Sequence, residues 1–209
     1  MAERVIKLEK VLVKKIAKIT DKEDKHMLRF TLFYPRPGSA KIETLKVLPK
    51  QLESNKTKTF DLSDFLGTVV FKEKLEGEFV LRAEVVIIDE LSKVGSILKT
   101  LFGGVLQFAI GKKIEGISNI YLGKAAEITN DSLFDSDGGK DLHVVGKGEV
   151  TLNSGTLPTE LSIELTSPKK FADREVRRQP GSQRRRRTTT TYLKKNEQNG
   201  QLTLRLDPI

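Results

Sequence analysis

Short segments in which apolar and polar residues alternate are the main pattern in the first 88 residues of this 209-residue chain. The clearest segment is 27–34, MLRFTLFY, which ends at the turn-forming sequence PRPG. Alternation with a period of two places the apolar side chains on one face of a β-strand. Because turn residues separate the segments, the pattern predicts a chain built mainly of short strands.

The predicted strands occupy most of the chain outside residues 89–118. Glu76-Gly77-Glu78 predicts a hairpin between two of them, and Asn199-Gly200 predicts another, since Asn-Gly is the strongest short hairpin signal. Ten or so short strands with regular turns favour a mostly antiparallel β-sandwich. The segments are 4–19, 27–34, 40–48, 56–62, 68–74, 79–88, 119–128, 142–153, 159–166, 188–193 and 202–206.

The period changes in residues 91–113, where apolar residues recur at intervals of three and four. This spacing places them on one face of an amphipathic helix, with Ser92 as a plausible N-cap and Gly111 as a stop. The paired Gly103 and Gly104 predict a kink or a loosened turn. The apolar face comprises Val94, Ile97, Leu98, Leu101, Phe102, Val105 and Phe108, and the nearby lysines are Lys93, Lys99, Lys112 and Lys113.

The positive charge of the chain is concentrated at one end. Residues 168–209 carry twelve Lys and Arg against four Asp and Glu, whereas residues 1–167 carry 25 against 24. We therefore predict a neutral β-domain at 1–167 with the helix 91–113 inserted, a basic linker or arm at 168–187, and a β-hairpin at 188–209. A cationic arm on a neutral body favours an anionic partner.

Residues suited to catalysis are sparse. Because cysteine is absent, disulfides, thiolate metal sites and a cysteine nucleophile are excluded. The histidines, His26 and His143, have no carboxylate at a metal-ligand spacing, so structural or solvent-facing roles are expected. The acidic loop 129–141 could hold calcium, although a solvated loop is the alternative. We predict no catalytic residue, no metal and no cofactor, and a protein that is not an enzyme.

Two segments resemble a known family. Residues 79–90, FVLRAEVVIIDE, and 121–128, YLGKAAEI, are similar to consecutive strands of the C-two domain, the membrane-targeting β-sandwich of protein kinase C. The resemblance covers about residues 68–128 and implies a sandwich that docks onto phospholipid headgroups. Only Asp89 matches the family's aspartate pair, because Leu91 stands at the second position, so calcium-driven docking is not expected.

The helix 91–113 lies where the family's membrane-contacting loop would be. An apolar face flanked by lysines is typical of an interfacial membrane helix. Packing of the same face over a β-sheet is the structural alternative. Both interpretations stay open on the sequence.

The basic arm could bind anions, because arginine contacts phosphates with two hydrogen bonds. These residues suggest a non-enzymatic adaptor or structural subunit that docks through the helix and arm onto a protein partner, copies of itself or an anionic membrane. The alternative is sequence-nonspecific binding of nucleic acid by the arm. No small-molecule substrate is expected, and the predicted location is cytoplasmic or peripheral to a membrane. The arm residues are Lys169, Lys170, Arg174, Arg177, Arg178, Arg184, Arg185, Arg186 and Arg187.

Overall fold

A computed structural model describes residues 2–16, 25–34, 41–48, 50–88, 120–125, 142–178 and 186–209. These residues are mostly strand, so the predicted all-β, mostly antiparallel class is confirmed. The elements are β1 (Ala2–Val13), β2 (Lys25–Phe33), β3 (Lys41–Val47), β4 (Thr57–Thr59), α1 (Phe65–Thr68), β5 (Val69–Leu75), β6 (Glu78–Ile88), β7 (Ile120–Ala125), β8 (Leu142–Asn153), β9 (Glu160–Thr166), β10 (Phe171–Arg178), β11 (Arg186–Leu193) and β12 (Gln198–Pro208).

Ten strands form one curled sheet with the shape of a half-barrel. Their order is β4, β1, β12, β9, β8, β6, β2, β3 and β7, and β5 also pairs with β1. A long sheet accumulates right-handed twist, so it curls and covers its own apolar face. The two packed layers of the predicted sandwich are not confirmed, because the described strands of the body belong to this single sheet.

The main core cluster is built from alternate residues of the strands. In β9, Leu161, Ile163 and Leu165 are buried whereas Ser162 and Glu164 between them are exposed. Neighbouring strands contribute side chains to the same cluster in the same way. They include Leu202, Leu204 and Leu206 of β12, Ile6 and Leu8 of β1, Phe71 of β5, Phe79 of β6 and Phe30 of β2.

The turn between β5 and β6 was predicted to close a hairpin, and that prediction is wrong. Gly77 does turn the chain, with φ of 60°. However, β5 pairs with β1, whereas β6 pairs with β2 and β8. The turn therefore joins distant parts of the curled sheet, because the strands on its two sides find partners elsewhere.

The end of the chain also differs from the prediction. Part of the predicted linker forms β10, which pairs with β11, while β12 pairs with β1 and β9. The predicted hairpin between residues 188–193 and 202–206 is therefore not formed. Asn199-Gly200 instead lies within β12 at a register shift, where a glycine accommodates close backbone contact.

Candidate functional site

The arginine ribbon, defined here as β10 and β11, is a two-stranded antiparallel sheet separate from the body. It is inserted between β9 and β12, which are neighbours in the main sheet. Five of the nine predicted anion-binding residues lie on its strands, and the exposed Lys169 and Lys170 precede it. Those five are Arg174, Arg177, Arg178, Arg186 and Arg187.

The ribbon follows the last pair of β9 with β12, beyond the register shift between Gln198 and Gly200. Thr166 pairs with Gln198, and Arg178 pairs with Arg186, so twelve residues separate the two pairs on each side. Between them, the Ser167 amide donates to the Glu197 carbonyl at 2.9 Å. The Asn196 amide donates to the Ser167 carbonyl at 2.7 Å. Backbone hydrogen bonds therefore join the ribbon to the β9–β12 pair, and β10 lies within the predicted linker.

Strand alternation divides the ribbon into two faces. The Tyr192 face consists of Ala172, Arg174, Val176, Arg178, Arg186, Thr188, Thr190 and Tyr192 by register. The Leu193 face consists of Phe171, Asp173, Glu175, Arg177, Arg187, Thr189, Thr191 and Leu193. Both acidic residues of the ribbon therefore belong to the Leu193 face, and the Tyr192 face has arginine as its sole charged residue type.

The residues at the base of the ribbon show how these faces are oriented. Leu193 is 1% exposed, whereas Tyr192 is 58% exposed. The Lys170 amine lies 5.1 Å from the centre of the Tyr192 ring, a cation–π distance. The Lys15 amine donates to the Tyr192 carbonyl at 3.2 Å. At its base, the ribbon thus turns the Leu193 face toward the body and the Tyr192 face toward solvent.

Like charges oppose each other at the far end of the described ribbon. Arg177 pairs with Arg187, and Arg178 pairs with Arg186. Residues directly opposite on antiparallel strands have Cβ atoms about 5 Å apart, and like charges there are destabilising. The register therefore concentrates positive charge that a bound anion would offset.

A buried lysine that the sequence analysis missed lies where β3 approaches α1 and β5. Lys46 is opposite Leu28 in the β2–β3 register, which places it on the core face, and it is 2% exposed. Its amine donates to the Gly67 carbonyl at 2.9 Å, and two residues away the Thr44 hydroxyl donates to the Val70 carbonyl at 2.8 Å. Asp64 caps the N-terminus of α1. The two hydrogen bonds therefore join β3 to α1 and to the start of β5.

Burial lowers the pKa of the Lys46 amine to about 8, and the Asp64 carboxylate opposes this shift. A lowered amine pKa is a common property of functional lysines, but structural sites produce it as well. Within the described residues, the geometry around Lys46 is that of a structural contact between β3 and α1. The sequence around Lys46 does not indicate that its amine is buried, because the burial depends on how the strands pair.

His26 is structural, as one of the two predicted alternatives states. The residue is 3% exposed, its Nδ1 accepts a hydrogen bond from the Leu52 amide at 2.6 Å, and its carbonyl accepts from the Leu48 amide at 2.9 Å. Within the described residues, no group of three or more His, Cys, Asp and Glu is placed to hold a metal ion.

Several predicted site residues lie outside the described residues. They are the whole helix 91–113 with its apolar and lysine positions, the acidic loop 129–141, and Arg184 and Arg185. The predicted helical surface therefore stays a prediction. None of the helical segments that the structure describes has the length and hydropathy needed to cross a lipid bilayer.

The ribbon is thus the candidate site that the described residues offer, because five of the nine predicted anion-binding residues lie on its strands. No protein-family model, curated protein or solved structure matches the chain.

Proposed function

We propose that this protein is a non-enzymatic adaptor or structural subunit that docks onto nucleic acid through the arginine ribbon. The observation that carries the proposal is the register of β10 with β11, which places four arginines in two directly opposed pairs. On the sequence alone, nucleic-acid binding is the alternative to docking on a membrane or a protein. The ribbon's register favours the nucleic acid.

The dimensions of a two-stranded ribbon support this choice. The major groove of B-DNA is about 12 Å wide and admits such a ribbon. Arginine can contact phosphate oxygens with two hydrogen bonds, and each contact releases condensed counterions. Because few aromatic residues accompany the arginines, base stacking contributes little, and the binding should be independent of sequence.

A membrane partner for the ribbon is less well supported. Interfacial membrane segments combine cationic residues with a large apolar face. The Tyr192 face contains only Ala172, Val176 and Tyr192 as nonpolar positions, with threonines between the arginines. Such a face attracts phosphate but buries little apolar area.

A second docking surface is proposed at residues 91–113, supported by the helical spacing of the apolar residues and by the resemblance to the C-two domain. A helix there, inserted in a sandwich-like body, would contact an anionic membrane or a protein partner. Charge reversal at Lys93, Lys99, Lys112 and Lys113 tests the membrane version. Unchanged sedimentation with anionic liposomes would exclude it. A cytoplasmic location is part of the same proposal.

The main proposal is tested by fluorescence anisotropy with a labelled random-sequence duplex over a range of salt concentrations. The test variant replaces Arg177, Arg178, Arg186 and Arg187 with Gln. The matched control replaces four exposed lysines of the body, Lys50, Lys56, Lys72 and Lys74, with Gln, which removes the same net charge.

The wild-type affinity should fall steeply with salt, and the ribbon variant should reduce the slope of log K against log salt by about 2 if two of its four arginines contact phosphate and by about 3 to 4 if all four do. This expectation follows from about 0.9 per phosphate contact. The body variant should change the slope by less than about 1, a single contact. Equal losses in the two variants, or no binding by the wild type at low salt, would exclude the proposal.

A further inference from the structure

We infer that the arginine ribbon binds through the Tyr192 face alone and that its ligand is the paired backbones of a double-stranded nucleic acid. This inference rests on the proposed function and adds to it the binding face and the form of the nucleic acid. Its starting point is the unequal distribution of charge between the two faces.

The Leu193 face is poorly suited to a polyanion. Asp173 and Glu175 occupy successive positions on it, next to Arg177. Carboxylates repel phosphates, and they also reduce the field of a neighbouring guanidinium group. At the base, Leu193 is buried, so this face meets the body rather than solvent.

The Tyr192 face has the opposite properties. Arg174, Arg178 and Arg186 belong to it, and no acidic residue does. The face continues at its base into the exposed Tyr192 ring and the Lys170 amine above that ring. By register, arginine positions therefore recur on this face between the far end of the described ribbon and its base.

The spacing along this face favours a duplex over a single strand. Arg174 is four residues from Arg178, or about 14 Å along an antiparallel strand. The major groove separates the two phosphate backbones by about 12 Å. Arg174 can therefore contact one backbone while the pair Arg178 and Arg186 contacts the other.

The register supplies a closely matched test. Two neighbouring pairs of arginines face each other across the strands, and they lie on different faces of the ribbon: Arg178 with Arg186, and Arg177 with Arg187. Replacing both residues of either pair with Gln removes two charges. Either change removes a like-charge repulsion, so the ribbon should not be destabilised. Thermal unfolding followed by circular dichroism checks that both variants fold like the wild type.

We expect R178Q/R186Q to weaken duplex binding on the order of 50-fold at 0.1 M salt, from two lost contacts at a slope of about 0.9 each. R177Q/R187Q should weaken binding by less than about fivefold, since diffuse attraction alone is lost. A conservative R178K/R186K variant should retain most of the affinity, because the contacts are to phosphate charge. D173N/E175Q should change the affinity little.

A single strand of the same length and label provides the second measurement, and the wild type should bind it at least about tenfold more weakly than the duplex. Equal effects of the two pair variants, or a strong gain from D173N/E175Q, would overturn the assignment of the face. Equal or tighter binding of the single strand would overturn the duplex. With any of these results, loss of duplex binding in the variant that lacks all four arginines still supports the proposed function. If that variant binds the duplex like the wild type, both the proposed function and this inference are excluded.

Discussion

The side chain of Asn199 pairs with the backbone of Lys15 in both directions. Its Oδ1 accepts a hydrogen bond from the Lys15 amide at 2.8 Å, and its Nδ2 donates to the Lys15 carbonyl at 2.9 Å. The same Nδ2 donates to the Val145 carbonyl at 2.7 Å. A single fully buried amide thus joins the chain just after β1 to β8 and β12, close to where the ribbon begins.

Replacing Asn199 with Ala should lower the free energy of unfolding by about 2–4 kcal/mol, because it leaves buried backbone groups without their partners. Asn199→Asp should be worse at neutral pH, since a carboxylate cannot donate to the two carbonyls. Urea denaturation measures both effects. The exposed Asn153 is the control, and Asn153→Ala should cost less than about 1 kcal/mol. Similar losses at the two sites would contradict this role for Asn199.

Gly200 should tolerate no side chain. Its φ is 154°, and a Cβ added there would lie 2.0 Å from the Leu12 carbonyl oxygen. Because the obstacle is backbone, Gly200→Ala should cost more than about 3 kcal/mol or prevent folding. Gly77→Ala is the matched control, because Gly77 also has positive φ, 60°, but open space around it. That change should cost about 1–2 kcal/mol, and an equal cost in both variants would mean that the contact with Leu12 is not limiting.

Asn199 and Gly200 also show where the sequence misleads. The dipeptide is a strong hairpin signal when it connects two strands that pair with each other. Here the strand after it pairs with β1 and β9, and the polar amide is used to bind three separated segments. The pairing of β12 with strands that are distant in sequence overrides this local hairpin signal. A single sequence does not show which distant strands will pair.

The strands with one buried face could be predicted from the sequence, because burial of one face requires apolar residues at every second position. Residues 159–166 were expected as a strand, and β9 covers nearly all of them. The ribbon was not predictable in the same way. Residues 171–178 are dominated by charge, and their strand conformation depends on pairing with the threonine-rich β11.

Part of the candidate site was nevertheless readable. The clustering of Arg174, Arg177, Arg178, Arg186 and Arg187 follows from the sequence alone. Their division between two faces does not, because it needs the register of β10 with β11. Lys46 shows the same limit, since nothing in the KIETLKV segment indicates that its amine lies against α1.

The buried ion pair between Arg29 and Glu84 joins β2 to β6. The two charged groups are 3.2 Å apart, with side chains that are 11% and 4% exposed. Glu84→Ala should cost about 3–5 kcal/mol because it leaves a buried cation without this counterion. The more exposed pair of Arg82 and Glu149 is the control, and Glu149→Ala should cost less than about 1 kcal/mol.

A double variant, Arg29→Met with Glu84→Leu, should recover most of the loss, because apolar residues of similar size replace the pair without a desolvated charge. Chemical denaturation of the wild type, Arg29→Met, Glu84→Leu and the double variant forms a double-mutant cycle. A double variant that is less stable than Glu84→Leu alone would show that the pair stabilises the protein beyond mutual neutralisation.

The buried amine of Lys46 should make stability depend on pH in an unusual direction. Its pKa is about 8 in the folded protein and near 10.5 in the unfolded chain. Between these values the unfolded chain binds the proton and the folded protein does not, so the free energy of unfolding rises with pH. The increase should be about 2 kcal/mol across this window, after allowance for solvent screening.

Lys46→Met is the informative variant, because it keeps the length of the side chain and removes the charge. At pH 7 it should be at least as stable as the wild type, since relief from burying an ammonium group offsets the lost hydrogen bond to the Gly67 carbonyl. Urea denaturation of both proteins at pH 7, 8, 9 and 10 isolates the contribution of this amine from other lysines. The stability of the wild type relative to the variant should rise with pH, and two curves that stay parallel would mean that the amine titrates normally.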